Sequence, residues 1–110
     1  MKTKMILVVD DIAISRLATV FAVQGFGYDT DEANSGLAGL AKATVTTYAA
    51  IIMDCIMPDM DGMECTARIR ELEKATGLIR TPIIGFTSQE MSPAERVNDF
   101  ETTLEINSGI

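Results

Sequence analysis

The sequence predicts a doubly wound α/β domain: a parallel five-stranded sheet in the order 2-1-3-4-5, with helices on both faces. Three observations carry this prediction. The apolar runs at 5–9, 49–53 and 82–86 show no polar alternation, which suits strands buried on both faces. Segments with helical spacing lie between them. The 110 residues can build one domain with its own core, and are too few for two.

The elements follow in order. Met5-Ile6-Leu7-Val8-Val9 forms the first strand and stops at Asp10-Asp11. Residues 12–24 read as a helix, with Ile14, Leu17, Ala18 and Phe21 at spacings i, i+3, i+4 and i+7; Gly25 and Gly27 end it. Residues 28–32 form a short polar strand near an edge of the sheet. Ser35 caps a second helix that runs to about Thr44, with Leu37, Leu40 and Ala41 inward. The second apolar run stops at Asp54, and the Pro/Gly loop 57–62 follows. A third helix covers 63–75, with Cys65, Ile69 and Leu72 on one stripe and Gly77 as its stop. Pro82-Ile83-Ile84-Gly85-Phe86 is a strand ended by Thr87-Ser88. Pro93 suits the first turn of a fourth helix, and a weak final strand lies near 103–107.

Composition excludes several functions. A net charge of -7 leaves no excess of cations for phosphate backbones, so no direct nucleic-acid partner is expected. Histidine is absent, which removes Ser-His and Cys-His pairs and any zinc site that uses histidine. Cys55 and Cys65 are not spaced as C-x-x-C and read as two reduced core thiols. The apolar run after Lys4 is too short for a signal peptide or a membrane span, so a cytoplasmic location without direct membrane contact is the expectation.

The winding brings the chemistry together. Crossovers between parallel strands are right-handed, and ligands gather at the carboxyl ends where the strand order reverses. Asp10 and Asp11 end the first strand, Asp54 the third and Thr87 the fourth. Three carboxylates at one point repel each other unless a cation or a proton intervenes. A hard divalent ion answers this, and Mg²⁺ suits it because it accepts one or two carboxylates and keeps positions for phosphate oxygens. With a cation present, one carboxylate can attack a phosphoryl group and form an acyl phosphate.

These residues resemble the receiver domain of two-component response regulators and hybrid histidine kinases. The resemblance rests on the Asp10-Asp11 pair, on Ile52-Met53-Asp54-Cys55-Ile56-Met57-Pro58-Asp59-Met60-Asp61-Gly62, and on Pro82-Ile83-Ile84-Gly85-Phe86-Thr87-Ser88. It covers about residues 4 to 100 and implies a flavodoxin-like fold. It implies Asp54 as phospho-acceptor, Asp10 and Asp11 as metal-site acids, and Ile56 as donor of a backbone carbonyl to Mg²⁺. Thr87 would be the switch hydroxyl. The implied partner is a histidine kinase or a histidine phosphotransfer protein. The implied role is signalling, with self-catalysed phosphoryl acceptance and hydrolysis rather than enzymatic turnover.

The chain departs from the family at its far end. Receivers carry a lysine and then a proline after the fifth strand, whereas the last lysine here is Lys74. Matching back from Ile110 puts Ser108 at the lysine position. The aromatic of the fifth strand has no counterpart at Thr103, Leu104 or Glu105. The domain is expected to span 1–110, with the last helix missing. The first helix, apolar almost all round, would then pair with a second copy as a homodimer. Two other readings stand beside the phospho-acceptor. One is a degenerate pseudo-receiver that acts as a phosphorylation-independent interaction module. The other is a phosphatase of the haloacid dehalogenase type, suggested by Asp59-Met60-Asp61-Gly62.

Overall fold

The computed structural model describes residues 4–87 and 102–105. Five strands, β1 (Met5–Val9), β2 (Asp29–Ala33), β3 (Ala50–Asp54), β4 (Ile83–Thr87) and β5 (Thr102–Glu105), form one sheet in the order β2-β1-β3-β4-β5. Every adjacent pair is parallel, with Val8 opposite Ile52 and Asp54 opposite Phe86. The helices are α1 (Ala13–Gly25), α2 (Gly36–Val45) and α3 (Gly62–Thr76). The predicted class and strand order hold. The expected helix after Ser92, the tail with Ser108 and any last helix lie outside the described residues.

Alternation along the central strands separates two apolar layers. Leu7, Val9, Ile51 and Met53 face α2 and α3 and share a core with Cys65 and Ile69. Ile6 and Val8 face the other way and pack with Val20 and Val23 of α1, against Ala50 and Ile52. The polar strand β2 takes the edge, where one row of its backbone groups can face water.

The structure places the apolar stripe of α1 and corrects the predicted inward face of α2. On α1 the buried residues are Val20 and Val23, while Ile14 is 83% and Phe21 63% exposed, and Leu17 and Ala18 also face out. A helix that is apolar nearly all round gives the period no contrast by which to choose a face. On α2 the buried positions are Gly36 and Gly39, whereas Leu37 and Ala41 are exposed. Backbone proximity decides this: a Cβ on Gly39 would lie 2.9 Å from Val9 Cγ2. Leu40 is partly buried against the core, as expected.

Local chemistry sets the helix ends. Ser35 Oγ accepts from the Ala38 N–H at 3.0 Å, as predicted. Asp61 Oδ1 accepts from the Glu64 N–H at 2.8 Å at the start of α3, and Gly77 ends that helix. Near its C-terminus, buried Arg70 and Glu73 pair at 2.8 Å. Arg70 also donates to the Thr81 carbonyl, and Glu73 Oε2 accepts from the Thr81 N–H, both at 2.7 Å. This clamp ties α3 to the entry of β4. Among the described residues no helix is long and apolar enough to cross a membrane.

The observed α1 face makes a sharp prediction. Val20→Asp buries a charge without a partner and should cost more than about 4 kcal/mol. Phe21→Asp, one residue along, should change stability by about 1 kcal/mol or less. Urea midpoints of the two variants check this.

Candidate functional site

Asp10 continues β1 by one residue, its N–H donating to the Ala33 carbonyl at 3.1 Å. Its Oδ1 accepts from the Ile12 N–H at 3.0 Å. This bond fixes the turn into α1, whose N-cap residue Ile12 has no capping side chain of its own. Arg16 reaches back from the first turn of α1, donating to the Asp10 carbonyl at 2.8 Å and to Glu32 Oε1 at 3.0 Å. Asp54 is the last residue of β3, and its Oδ1 accepts from the Ile56 N–H at 3.1 Å.

The loop after Asp54 is packed closely enough to require glycine at its end. A Cβ on Gly62 would fall 2.2 Å from the Asp54 carbonyl oxygen. The Gly62 N–H donates to the Cys55 carbonyl at 3.0 Å, and the Cys55 N–H donates to the Phe86 carbonyl at 2.8 Å. The loop is therefore stitched to β4 at one end and closed on itself at the other.

These elements bring together three of the predicted acids. Asp10, Asp11 and Asp54 each offer a carboxylate oxygen within 4.8 Å of the others. Asp10 is fully buried and Asp54 nearly so. Asp10 Oδ2 and Asp11 Oδ1 are buried and have no hydrogen-bond partner. An all-oxygen set with two orphaned acceptors is the environment a hard divalent cation completes. Burial, followed by the charges of Asp10 and Asp11, pushes the Asp54 carboxyl up to about 6, against the lowering pull of the Ile56 N–H.

Thr87 ends β4 one residue beyond Phe86, the partner of Asp54 in register. Its backbone thus lies at the same sheet end as the acids; its side chain, like Ser108, is outside the described residues. Ile56 is half-exposed and bonded to Asp54 through its N–H. Both cysteines are free and buried, and burial pushes each thiol up to about 11, as expected for inert core residues.

Sequence reasoning missed Arg16 and Asp59. Arg16 lies five residues past Asp11, in the first turn of the helix that follows the acid pair, so its spacing from the pair was a usable signal. Asp59 accepts from the Gly36 and Leu37 N–H groups of α2, at 3.2 and 3.0 Å. Nothing local in the sequence announces that contact.

The raised Asp54 carboxyl has a stability consequence. Between its ordinary value of 3.8 and about 6 the folded chain binds this proton and the unfolded chain does not. Asp54 therefore costs stability as pH rises through that window, and the full cost remains above it. Asp54→Asn should stabilise the metal-free protein at pH 7 by on the order of 1–3 kcal/mol. The gain should vanish below about pH 4, and denaturant midpoints measured across pH check both.

Comparison with known proteins places this geometry. The family model of the response regulator receiver domain matches residues 6–102. The sensor protein EvgS of Escherichia coli K12 is 37% identical over 83 residues, which are 76% of this chain and 6% of EvgS. Hybrid signal transduction histidine kinase B of Dictyostelium discoideum is 38% identical over 81 residues, 74% of this chain and 4% of that kinase. The chain thus spans a small part of these relatives. The receiver domain of the histidine kinase CKI1 from Arabidopsis thaliana, solved in complex with Mg²⁺, superposes with a TM-score of 0.84 at 31% identity. That match covers 93% of this chain and 82% of the other. A five-stranded parallel sheet that ends in an acid trio, together with a family match over most of the chain, shows that the protein belongs to the response regulator receiver domain family.

Proposed function

We propose that the chain is a phospho-accepting receiver domain of a two-component phosphorelay, with Asp54 as acceptor. The observation that carries this is the buried acid trio with its two orphaned carboxylate oxygens. Asp10, Asp11, Asp54 and the Ile56 carbonyl would hold Mg²⁺, which when bound offsets charge on the transferred group's oxygens. The residues present fit that ion.

The chain's own part in the chemistry is orientation and attack. The Ile56 N–H holds one Asp54 oxygen and so fixes the plane of the carboxylate. The ionised carboxylate attacks phosphorus; an O–P bond forms while the donor's bond to phosphorus breaks and its electron pair leaves with the donor. Thr87 is the hydroxyl assigned to the phosphoryl oxygens. The donor is a histidine kinase or a histidine phosphotransfer protein, in keeping with the kinase relatives. The exposed stripe of Ile14, Leu17 and Phe21 on α1 is the surface assigned to that partner or to a second copy. Val20, buried against the sheet, takes no part in such a contact.

One observation favours a second reading. Within the 110 residues no lysine follows Lys74, and matching back from Ile110 puts Ser108 where receivers carry one. A pseudo-receiver would keep the fold and the Mg²⁺ site yet form no acyl phosphate.

Intact mass after incubation with acetyl phosphate and Mg²⁺ separates the two. The expected result is a gain of one phosphoryl group in the wild type and none in Asp54→Asn; an unchanged wild-type mass establishes the pseudo-receiver. Ser108→Lys should speed phosphorylation, because it returns a cation to the developing charge. Millimolar-range Mg²⁺ should raise the wild-type melting temperature by mass action, and should raise it less in Asp54→Asn.

A further inference from the structure

Beyond the Cys55 N–H bond to β4, the loop between β3 and α3 is held at four points. Ile56 N–H bonds Asp54 Oδ1, Gly62 N–H bonds the Cys55 carbonyl, and Glu64 N–H bonds Asp61 Oδ1. The fourth tie is Asp59, and of the four it alone reaches α2. Its two oxygens accept from Gly36 N–H at 3.2 Å and Leu37 N–H at 3.0 Å, across 23 and 22 residues of sequence. These first-turn amides are among the donors that a helix leaves without internal partners. Ser35 takes only the Ala38 N–H. The fit is close, since a Cβ on Gly36 would lie 2.5 Å from the Met60 carbonyl oxygen. The Leu37 and Gly36 amides hold the exposed Asp59 carboxyl below its ordinary range, so it is ionised at neutral pH.

We propose that Asp59 is a positioning residue for the metal site, using the N-terminus of α2 to fix the loop that carries Ile56. The inference rests on the reading that Asp10, Asp11, Asp54 and the Ile56 carbonyl hold Mg²⁺. Two of those four donors flank the start of the loop, so its placement sets how well they meet one ion. Asp59 restrains the loop's far side against a helix that carries none of the acids. Linkage makes the effect reciprocal: an ion that selects the held loop also strengthens the amide bonds of Gly36 and Leu37.

Calorimetric titration of MgCl₂ into the full chain tests this, with Asp59→Ala and Ser35→Ala compared against the wild type. Ser35→Ala removes a hydrogen bond from the same helix end and leaves the loop untouched. Asp59→Ala should bind Mg²⁺ about 5- to 10-fold more weakly, near the lower edge of what outer-shell partners contribute. Ser35→Ala should stay within about twofold of wild type. Mg²⁺ should also slow amide exchange at Leu37 in the wild type and fail to do so in Asp59→Ala. A wild type that takes up no Mg²⁺ overturns the metal-site reading itself. A wild type that binds, alongside an Asp59→Ala that binds equally well, overturns the role of Asp59; so does an equal loss in Ser35→Ala. Should Asp59→Ala fail to fold, Leu37 exchange in the wild type decides alone, and no slowing by Mg²⁺ refutes the proposal.

Discussion

Repulsion among three carboxylates gathered at one end of a buried sheet is the constraint on which the rest of the structure depends. Parallel pairing of β1 with β3 brings the ends of two apolar strands side by side, and both strands run out into acids. Water cannot fully dilute the resulting charge, because Asp10 and Asp54 are buried. The surrounding bonds hold the acids in place without neutralising them. Arg16 stands one bond away but directs its guanidinium to the Asp10 carbonyl and to Glu32. The site thus stays electrostatically unfavourable when empty, which is the condition under which a cation or a proton has the most to contribute.

Much of this was legible in the sequence, for identifiable reasons. Uninterrupted apolar runs marked β1, β3 and β4, because a strand covered on both faces has no polar side to show. The acids were legible because they terminate those runs, and chain reversal between β1 and β3 makes strand ends converge. Side-chain direction on the helices was harder to read. In α1, hydrophobicity exceeded the space available, and the sheet chose the slimmer Val20 and Val23 over Phe21. In α2 the buried face is glycine, which a hydrophobic pattern does not register.

The contacts that remained hidden share one property: they are polar and distant, or polar and buried. Arg70 and Glu73, three apart on α3, look like a solvated charge pair, yet both are buried and meet Thr81. Truncating either would take the opposite charge away from the other in a buried place, which is a costly change. Asp59 and Gly36 lie on different elements, and only the folded topology makes them neighbours.

The two cysteines give the fold a built-in clock. Cys55 directly follows Asp54, Cys65 lies on the inner face of α3, and the sequence holds no other cysteine. Both are sealed from solvent in the layer that α2 and α3 cover, and burial disfavours their reactive thiolate form. A thiol reagent can reach them only through an excursion that parts this layer. The rate of their labelling therefore measures how often the region beneath the acid site breathes, and occupancy of the site would be read as a change in that frequency.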